Sequence, residues 1–330
     1  MVNKKSDINK ILIIRLSSIG DIVLTSPIIR SIKKKFPKAE IHFLTKKQFE
    51  GIVESSPYVS CTHIWNKKLW KQVFLLRNEG FDHIIDLHKN YRTLLLKTFL
   101  GVPNSTFNKL QLGKYLLTNF KINRLPKTHI VNRYAKAMKP LGVQLDGKGL
   151  DYFIKDSTAS LESIFPTPLP KKYLSFVIGA AHGTKKLPAS KIAELVEKIN
   201  EPIVFIGGKE ELEIAEKICK TEPTRLFNAC GIASLDQSAL LVKNSAKVIT
   251  HDTGFMHIAA AFNKEIITIW GNTTSDFGMY PYKVAKSFNF EKGNLSCRPC
   301  SKIGFEKCPK GHFKCMNDQP LNEIAAIANK

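Results

Sequence analysis

Short apolar runs alternate with stretches of helical periodicity along the first half of the chain. The first run, at 11–15, is followed by small polar residues, as expected of a buried parallel strand that ends in a loop. A helical pattern then extends to residue 35, and Pro27 indicates a kink or a restart within it. Strand patterns follow at 40–45 and 81–88. This alternation predicts an α/β fold with a parallel sheet and helices on both faces.

The second half repeats the same alternation. We predict strands and helices in the order 173–180, 189–199, 202–208, 210–220, 246–251, 254–262 and 266–271. Because 330 residues exceed the usual size of one domain, the chain is expected to form two. The segment 156–172 contains three prolines and is the best linker candidate. We place the boundary after residue 165, which gives domains 1–165 and 166–330.

Basic residues outnumber acidic ones, most strongly in the first half. The chain holds 50 Lys and Arg against 28 Asp and Glu, a net charge of +22. Residues 1–165 carry 28 of the basic and 12 of the acidic side chains. Between Asp86 and Asp146 there are eleven basic residues and no acidic one. This stretch predicts a strongly positive surface, which could bind nucleic acid, anionic lipid head groups or an acidic glycolipid. The alternative is that its lysines are simply solvated.

Neither a membrane span nor an export signal is predicted. No apolar run approaches the roughly 20 residues needed to cross a bilayer, and the amino terminus lacks the apolar stretch of a signal peptide. A cytoplasmic location is expected, where several basic side chains could hold the protein at an anionic membrane surface. The odd number of seven cysteines favours reduced thiols or a metal site over a disulfide framework.

Polar residues cluster in the loops that follow the predicted strands. These loops carry the sequences at 17–21, 182–186, 207–208 and 251–254. In an open parallel sheet the ligand site lies beyond the carboxyl ends of the strands, so the loops are expected to face one cleft. Neither G-x-G-x-x-G nor a P-loop motif is present, which disfavours a dehydrogenase or a P-loop enzyme.

Each loop carries a candidate with an ordinary alternative. Asp252, Thr253 and Gly254 stand where a strand turns into a helix, so they either bind a phosphate or simply cap that helix. Lys185 is placed to neutralise a diphosphate, unless it is a plain surface lysine. Asp21 begins a helix and is either a catalytic base or a carboxylate stabilised by the helix dipole.

Four cysteines fall within nineteen residues near the carboxyl terminus. They are Cys297, Cys300, Cys308 and Cys315, with His312 among them. One C-x2-C pair and these ligand types suit tetrahedral zinc. The second pair lacks that spacing, so a reduced thiol cluster that braces a loop is an equal alternative. Either role would be structural.

Taken together, several of these stretches resemble glycosyltransferase family 9, the heptosyltransferases. The stretch 11–41 is similar to the family's opening strand, S-x-G-D loop and first helix, and 250–274 to its nucleotide-sugar signature. The stretch 179–196 resembles a middle motif, with Leu187 where tryptophan is usual; 206–218 and the cysteine-rich run also match. The resemblance implies a glycosyltransferase-B architecture of two doubly wound Rossmann-like domains facing across a cleft. The acceptor would bind to 1–165 and the nucleotide-sugar to 166–330.

The resemblance also implies a role for each candidate. Asp21 would deprotonate the acceptor hydroxyl, which attacks and inverts the anomeric carbon. Lys185 and backbone amides near Thr253 and Gly254 would stabilise the departing diphosphate without a catalytic metal. The other donor-side residues implied are Asp252 for sugar hydroxyls, His257 for support of the phosphate loop and Glu211 for the ribose. The acceptor-side residues implied are Arg92, His129 and Arg133.

Three hypotheses follow. The first is an inverting heptosyltransferase that moves heptose from ADP-heptose to the anionic inner core of lipopolysaccharide, Kdo-lipid A or its heptosylated form. It would lie peripherally at the cytoplasmic face of the inner membrane, require no cofactor and bind no nucleic acid. The second is a family 9 enzyme with another nucleotide-sugar, since Leu187 and the loop 271–282 border the expected donor pocket. The third is a non-enzymatic, basic nucleic-acid-binding protein, which predicts steeply salt-dependent binding.

Overall fold

The chain forms two compact units, each built around one parallel sheet. A computed structural model describes residues 8–155, 160–165 and 167–330. The first unit comprises residues 1–109 and 128–155, and the second comprises 110–127 and 156–330. The division therefore follows residue 155, and the predicted boundary followed residue 165. Residues 156–159 and Pro166 of the predicted linker lie outside the described residues.

The first unit contains a five-stranded sheet. Its strands are β1 (Lys10–Ile14), β2 (Glu40–Thr45), β3 (Cys61–Ile64), β4 (His83–Asp86) and β5 (Asn104–Thr106). They lie in the order β3-β2-β1-β4-β5, and every pairing is parallel. The residues of β1 from Ile11 to Ile14 have no exposed surface because helices cover both faces.

The helices of the first unit are α1 (Ile19–Val23), α2 (Ser26–Lys35), α3 (Glu50–Glu54), α4 (Leu69–Arg77), α5 (Tyr91–Leu100) and α7 (Ile130–Ala135). Pro27 occupies the first turn of α2, where its missing N–H is not needed, so the predicted restart is confirmed. One core cluster packs β1, β2 and β4 against α4 and α5 through Leu12, Leu76 and Leu96.

The second unit contains a six-stranded sheet. Its strands are β6 (Leu174–Val177), β7 (Ile203–Ile206), β8 (Leu226–Asn228), β9 (Lys247–His251), β10 (Glu265–Trp270) and β11 (Ser287–Glu291). Their order is β11-β10-β9-β6-β7-β8, again with parallel pairing throughout.

The helices of the second unit are α6 (Gln111–Phe120), α8 (Ala189–Glu197), α9 (Leu212–Cys219), α10 (Leu235–Asn244), α11 (Gly254–Ala261), α12 (Lys314–Asn317) and α13 (Leu321–Ala328). Phe176, Phe205 and Ile249 lie at the centre of its core, and Met316 and Ile324 bring the carboxyl-terminal helices into the same cluster. The doubly wound α/β fold predicted for each half is confirmed.

The segment 110–127 belongs to the second unit although it lies in the first half of the sequence. Lys121 Nζ donates to the carbonyl oxygens of Cys297 at 3.2 Å and Pro299 at 2.8 Å. Asn123 Nδ2 donates to Asp276 Oδ2 at 2.7 Å. These polar contacts attach the segment to the cysteine-rich run and to the loop after β10.

The basic stretch between Asp86 and Asp146 is divided between the two units. Lys114, Lys121, Arg124 and Lys127 lie in 110–127 and belong to the second unit. Lys97 is buried and pairs with Asp86 at 3.1 Å, and Arg133 is also buried. Lys97 and Arg133 therefore do not contribute to a positive surface, because charge counted along a chain does not report which side chains are buried.

Across the described ranges, no helix is both long and apolar enough to cross a bilayer.

Arg30 on α2 holds the last part of the first unit in place. Its guanidinium donates to Asp146 Oδ2 at 2.6 Å and to the Gly149 carbonyl at 2.9 Å, and it also pairs with Asp151. The side chains of Arg30 and Asp146 are only 9% and 4% exposed. Asp146 N and Asp151 N also donate to Ser31 Oγ and Ser26 Oγ, so ion pairs and hydrogen bonds together tie residues 146–151 to α2.

Arg30→Ala should lower the free energy of unfolding by about 3–5 kcal/mol, because it removes the positive partner of the buried Asp146 carboxylate. Urea denaturation followed by circular dichroism measures this. Lys155→Ala is the matched control, since Lys155 and Glu54 are 55% and 50% exposed and their pair contributes at most about 1 kcal/mol. Equal losses in the two variants would contradict the assignment.

Candidate active site

Both sheets reverse their strand order once, and charged loops follow the strands on either side of each reversal. In the first unit the order turns between β1 and β4, and in the second between β6 and β9. Loops diverge at such a point and leave a crevice beyond the carboxyl ends of the strands, which is where ligands bind in open α/β sheets. Asp21 follows β1, Lys185 follows β6 and Asp252 follows β9.

Asp21 lies in the first turn of α1, after β1. Its Oδ1 pairs with Arg15 Nη2 at 2.6 Å, and its Oδ2 accepts from Ser18 N at 3.3 Å and Ser18 Oγ at 3.1 Å. Burial acts to raise the pKa of the Asp21 carboxyl, but Arg15 and the Ser18 hydrogen bonds outweigh it and hold the pKa below its ordinary value. Asp21 is therefore ionised at neutral pH, as an acceptor of protons must be.

Other polar side chains surround Asp21 and were not identified from the sequence. The Tyr134 hydroxyl donates to Asp21 Oδ1 at 3.5 Å. Burial, and then the charge of Arg15, lowers the pKa of His88 to about 4 and also lowers the pKa of Lys109. His88 is thus a neutral imidazole at physiological pH.

The three predicted acceptor residues differ in their surroundings. Arg92 is exposed in the first turn of α5 and stacks over Tyr91, with its Cζ 5.3 Å from the ring centroid. His129 is buried and its Nδ1 accepts from Val131 N at 3.2 Å, so it caps α7. Arg133 is buried on α7, and burial lowers its pKa. Arg92 is therefore the most accessible of the three.

In the second unit, Lys185 and Asp252 are brought together across the strand reversal. Lys185 Nζ lies 2.6 Å from Asp252 Oδ2, and the same oxygen accepts from Thr273 Oγ1 at 2.8 Å. Both charged side chains are largely buried, at 15% and 13% exposed. The predicted pair thus forms one polar cluster, to which Thr273 adds a hydroxyl from the loop after β10.

The amino terminus of α11 lies beside this cluster. Thr253 precedes the helix and makes no side-chain cap to it, while Thr253 and Gly254 are both partly exposed. Free backbone N–H groups and a dipole of roughly +0.5 charge favour an anion at this position. His257 is buried one turn further along α11. The first turn of α11 and the Lys185 ammonium together suit a phosphate.

Glu211 lies at the carboxyl ends of β6 and β7. Its Oε2 accepts from Gly208 N at 2.9 Å and its Oε1 pairs with Lys186 Nζ at 2.8 Å. A Cβ on Gly179 would stand 2.9 Å from Glu211 Oε2, so glycine is needed for this carboxylate to approach the strand end. Lys185 and Lys186 are neighbours in sequence but pair with different carboxylates, Lys185 with Asp252 and Lys186 with Glu211.

Leu187, which replaces the tryptophan usual in the family motif, is 3% exposed and lies in the core of the second unit. Its N–H donates to His251 Nε2 at 3.1 Å. Burial lowers the pKa of His251 to about 3, so this imidazole is a neutral acceptor. The leucine contributes packing and anchors the end of the Lys185 loop.

The cysteine-rich run packs directly on the loops that carry Lys185 and Thr273. Thr184 N donates to the Phe305 carbonyl at 2.9 Å, and Phe305 N donates back to Thr184 Oγ1 at 2.8 Å. Arg298 donates to the Gly271 carbonyl at 2.7 Å and the Thr273 carbonyl at 2.6 Å. The run therefore braces two loops of the candidate site.

The four cysteines are free thiols. Cys297 Sγ lies 3.7 Å from His312 Nε2. Burial raises the pKa of Cys300 to about 11 and that of Cys315 to about 12, with neighbouring thiols adding to each shift. Without a bound metal these two groups are protonated.

Two doubly wound Rossmann-like units of this kind form the architecture of the glycosyltransferase-B class. The chain belongs to glycosyltransferase family 9 (heptosyltransferase), whose model matches residues 67–308. It is therefore a glycosyltransferase, which favours the two enzyme hypotheses over the non-enzymatic one.

Individual relatives agree with this assignment. A lipopolysaccharide heptosyltransferase 1 from Campylobacter coli is 25% identical over 325 residues, which cover 90% of this chain and 94% of that protein. A family 9 glycosyltransferase structure from Veillonella parvula has a TM-score of 0.70 at 22% identity and covers 86% of this chain and 87% of its own. The structure of E. coli ADP-heptose lps heptosyltransferase II has a TM-score of 0.68 at 20% identity, and the match covers 96% of this chain and 99% of that one.

The carboxyl carbon of Asp21 should titrate below the ordinary value of 3.8, and Arg15→Met should raise that pKa. The ion pair stabilises the folded state above the unfolded pKa and is lost only as the pH falls through the lower folded value. Carbon-13 NMR of aspartate-labelled protein, over the pH range in which circular dichroism shows a folded chain, measures both values. An unchanged pKa in Arg15→Met would contradict the role given to Arg15.

Proposed function

We propose that this glycosyltransferase transfers heptose from ADP-heptose to the anionic inner core of lipopolysaccharide, with inversion at the anomeric carbon. Two polar sites carry the proposal: the first unit holds an ionised Asp21 bound by Arg15, and the second holds the Lys185–Asp252 cluster beside a helix amino terminus. Relatives named for heptose transfer to lipopolysaccharide support the choice of sugar and acceptor.

Asp21 acts as the general base. The carboxylate takes the proton of the acceptor hydroxyl while that oxygen forms a bond to the anomeric carbon of the donor. Arg15 keeps the carboxylate charged, and Ser18 fixes one of its oxygens. A low pKa limits its strength as a base, so the attack depends on correct positioning of the hydroxyl as well as on proton transfer.

The second unit stabilises the leaving group. As the bond between the anomeric carbon and the diphosphate oxygen breaks, negative charge develops on ADP. Lys185 Nζ and the N–H groups of Thr253 and Gly254 supply positive charge and donors for it, without a catalytic metal. Asp252 then faces the donor-sugar hydroxyls, and Glu211 accepts from the ribose.

The acceptor phosphates and carboxylates bind near the base. Arg15 and Lys109 contribute a positive potential around Asp21, His88 offers a neutral imidazole there, and Arg92 adds an exposed guanidinium in the first turn of α5. His129 and Arg133 are both buried, so their role is to stabilise α7 and they do not contact the acceptor.

The cysteine-rich run is assigned as a structural zinc site. Cys297, Cys300, Cys308 and Cys315 supply thiolates once a metal has displaced their protons. The run holds the loops after β6 and β10 through Thr184 and Arg298. Its metal would therefore stabilise the donor side and take no part in the chemical step.

Peripheral contact with the membrane is assigned to α4 and α5. These helices pack against each other, and the ring centroids of Trp70 and Phe99 lie 4.5 Å apart. Six large apolar side chains on these helices are exposed, and we call them the apolar face: Trp70, Phe74, Leu75, Tyr91, Leu94 and Leu95. Lys67, Lys68, Lys71 and Arg77 are exposed beside them. Aromatic side chains that enter the head-group region, together with basic ones that meet anionic lipid, suit the cytoplasmic face of the inner membrane.

Asp21→Asn should reduce kcat by at least about a hundredfold, because the amide cannot accept the proton. Its affinity for ADP should stay within about twofold of the wild type, since the base acts on the acceptor. Turnover is measured as ADP release and ADP affinity by calorimetry. Wild-type turnover in this variant would remove Asp21 from the mechanism.

Lys185→Met should weaken ADP binding by about tenfold or more, because the diphosphate loses a charge-assisted partner. Lys172→Met is the matched control, since Lys172 is exposed at the opposite, amino end of β6. Calorimetry with ADP, UDP and GDP measures both variants, and the wild type should prefer ADP. A preference for UDP or GDP would contradict the assignment of ADP-heptose as the donor but not the assignment of the fold.

Phe74→Ser combined with Leu94→Ser should weaken binding to anionic vesicles by about tenfold or more, because each buried apolar side chain contributes about 1.5–3 kcal/mol. Vesicle co-sedimentation measures the effect. Ile232→Ser is the control, since Ile232 is 54% exposed on the second unit. If the double variant and the control bind equally, the apolar face does not contact lipid.

A further inference from the structure

Three side chains of metal-ligand type lie on one face of the first sheet, away from Asp21. His42 is in the interior of β2, and Cys61 and His63 are in the edge strand β3. The register places His42 opposite Cys61 and Leu44 opposite His63. Because side chains alternate between faces along a strand, these three point to the same side.

The ligand atoms converge. His42 Nδ1 lies 2.8 Å from His63 Nε2, and one ligand atom from each of the three residues lies within 4.8 Å of the other two. Glu79 Oε2 lies 3.8 Å from His42 Nδ1 and 3.3 Å from Lys10 Nζ, so it becomes a fourth ligand by exchanging its ion pair with Lys10 for the metal. In tetrahedral zinc sites, bonds of about 2.0–2.3 Å place neighbouring ligand atoms roughly 3.3–3.7 Å apart. The cluster needs only small side-chain movements to meet that geometry.

The surroundings orient His42 for this role. Its Nε2 lies 3.1 Å from Glu40 Oε2. Because a carboxylate oxygen accepts, Nε2–H donates this hydrogen bond and the lone pair of Nδ1 faces the cluster. A carboxylate behind a ligating imidazole is the usual way to fix its tautomer. Phe81 packs edge-on against the His42 ring at 5.2 Å and holds it from the core side.

We propose that His42, Cys61 and His63 bind Zn²⁺, with Glu79 as the fourth ligand. Two imidazoles, one thiolate and a carboxylate are ligands that zinc accepts in tetrahedral coordination. The site is separate from the cysteine-rich run, which belongs to the other unit. The metal ties the four-residue edge strand β3 to β2. The candidate base Asp21 follows the carboxyl end of β1 and is not one of the ligands, so the role of the metal is structural.

The competing explanation is a hydrogen bond between the two imidazoles with a thiol nearby. It accounts for the 2.8 Å separation but predicts no affinity for a metal. The two explanations differ in the amount of zinc bound by the folded chain and in the reactivity of the Cys61 thiol.

Zinc bound per chain is measured by elemental analysis after equilibrium dialysis of the full-length protein. Cys61→Ser and His63→Ala should each bind one zinc fewer than the wild type, while Cys219→Ser, a half-buried thiol on α9, should bind the same amount. Cys300→Ser reports separately on the cysteine-rich run. Circular dichroism confirms that each variant is folded. Wild-type zinc content in folded His63→Ala overturns the proposal.

A second measurement needs no variant. Peptide mapping after alkylation follows Cys61 in the wild-type protein with added zinc and with a chelator. Zinc should slow the alkylation of Cys61 at least about tenfold, because a coordinated thiolate is shielded, and Cys219 should react at the same rate in both conditions. A Cys61 rate that does not depend on zinc overturns the proposal.

Discussion

The reversal of strand order in each parallel sheet determines where charge can be concentrated in this protein. Within each unit, the loops that leave the strands on either side of the reversal turn away from each other and open a crevice at the sheet edge. The central residues of the buried strands are mostly apolar, and the charged groups of the candidate site stand in these loops. Asp21 in the first unit, and Lys185 with Asp252 in the second, are direct consequences of this arrangement.

Each crevice also needs support that keeps its charges in place. In the first unit Arg15 binds Asp21 and donates to the carbonyl of Leu87 after β4, so one guanidinium joins the two sides of the reversal. In the second unit the cysteine-rich run supplies Arg298 and the Phe305 backbone to the loops beside Lys185. Arg15 is close to Asp21 in sequence, whereas Arg298 and Phe305 lie more than a hundred residues after Lys185.

Local patterns predicted much of this from the sequence. Apolar runs of strand length predicted the sheets, and the position of Asp21, Lys185 and Asp252 after such runs predicted their loops. Arg15 and Arg298 were missed because they join loops through main-chain carbonyls that are distant in sequence, those of Leu87 and Gly271. The placement of 110–127 was missed for the same reason, since its contacts through Lys121 and Asn123 depend on tertiary packing that periodicity does not encode.

The most direct test is product analysis with purified enzyme, ADP-heptose and Kdo-lipid A. Mass spectrometry should show an acceptor heavier by one heptose and one ADP released for each transfer, and NMR should show an inverted anomeric configuration. Release of ADP without a heptosylated acceptor, or a product with retained configuration, would contradict transfer by a single attack in which Asp21 is the base.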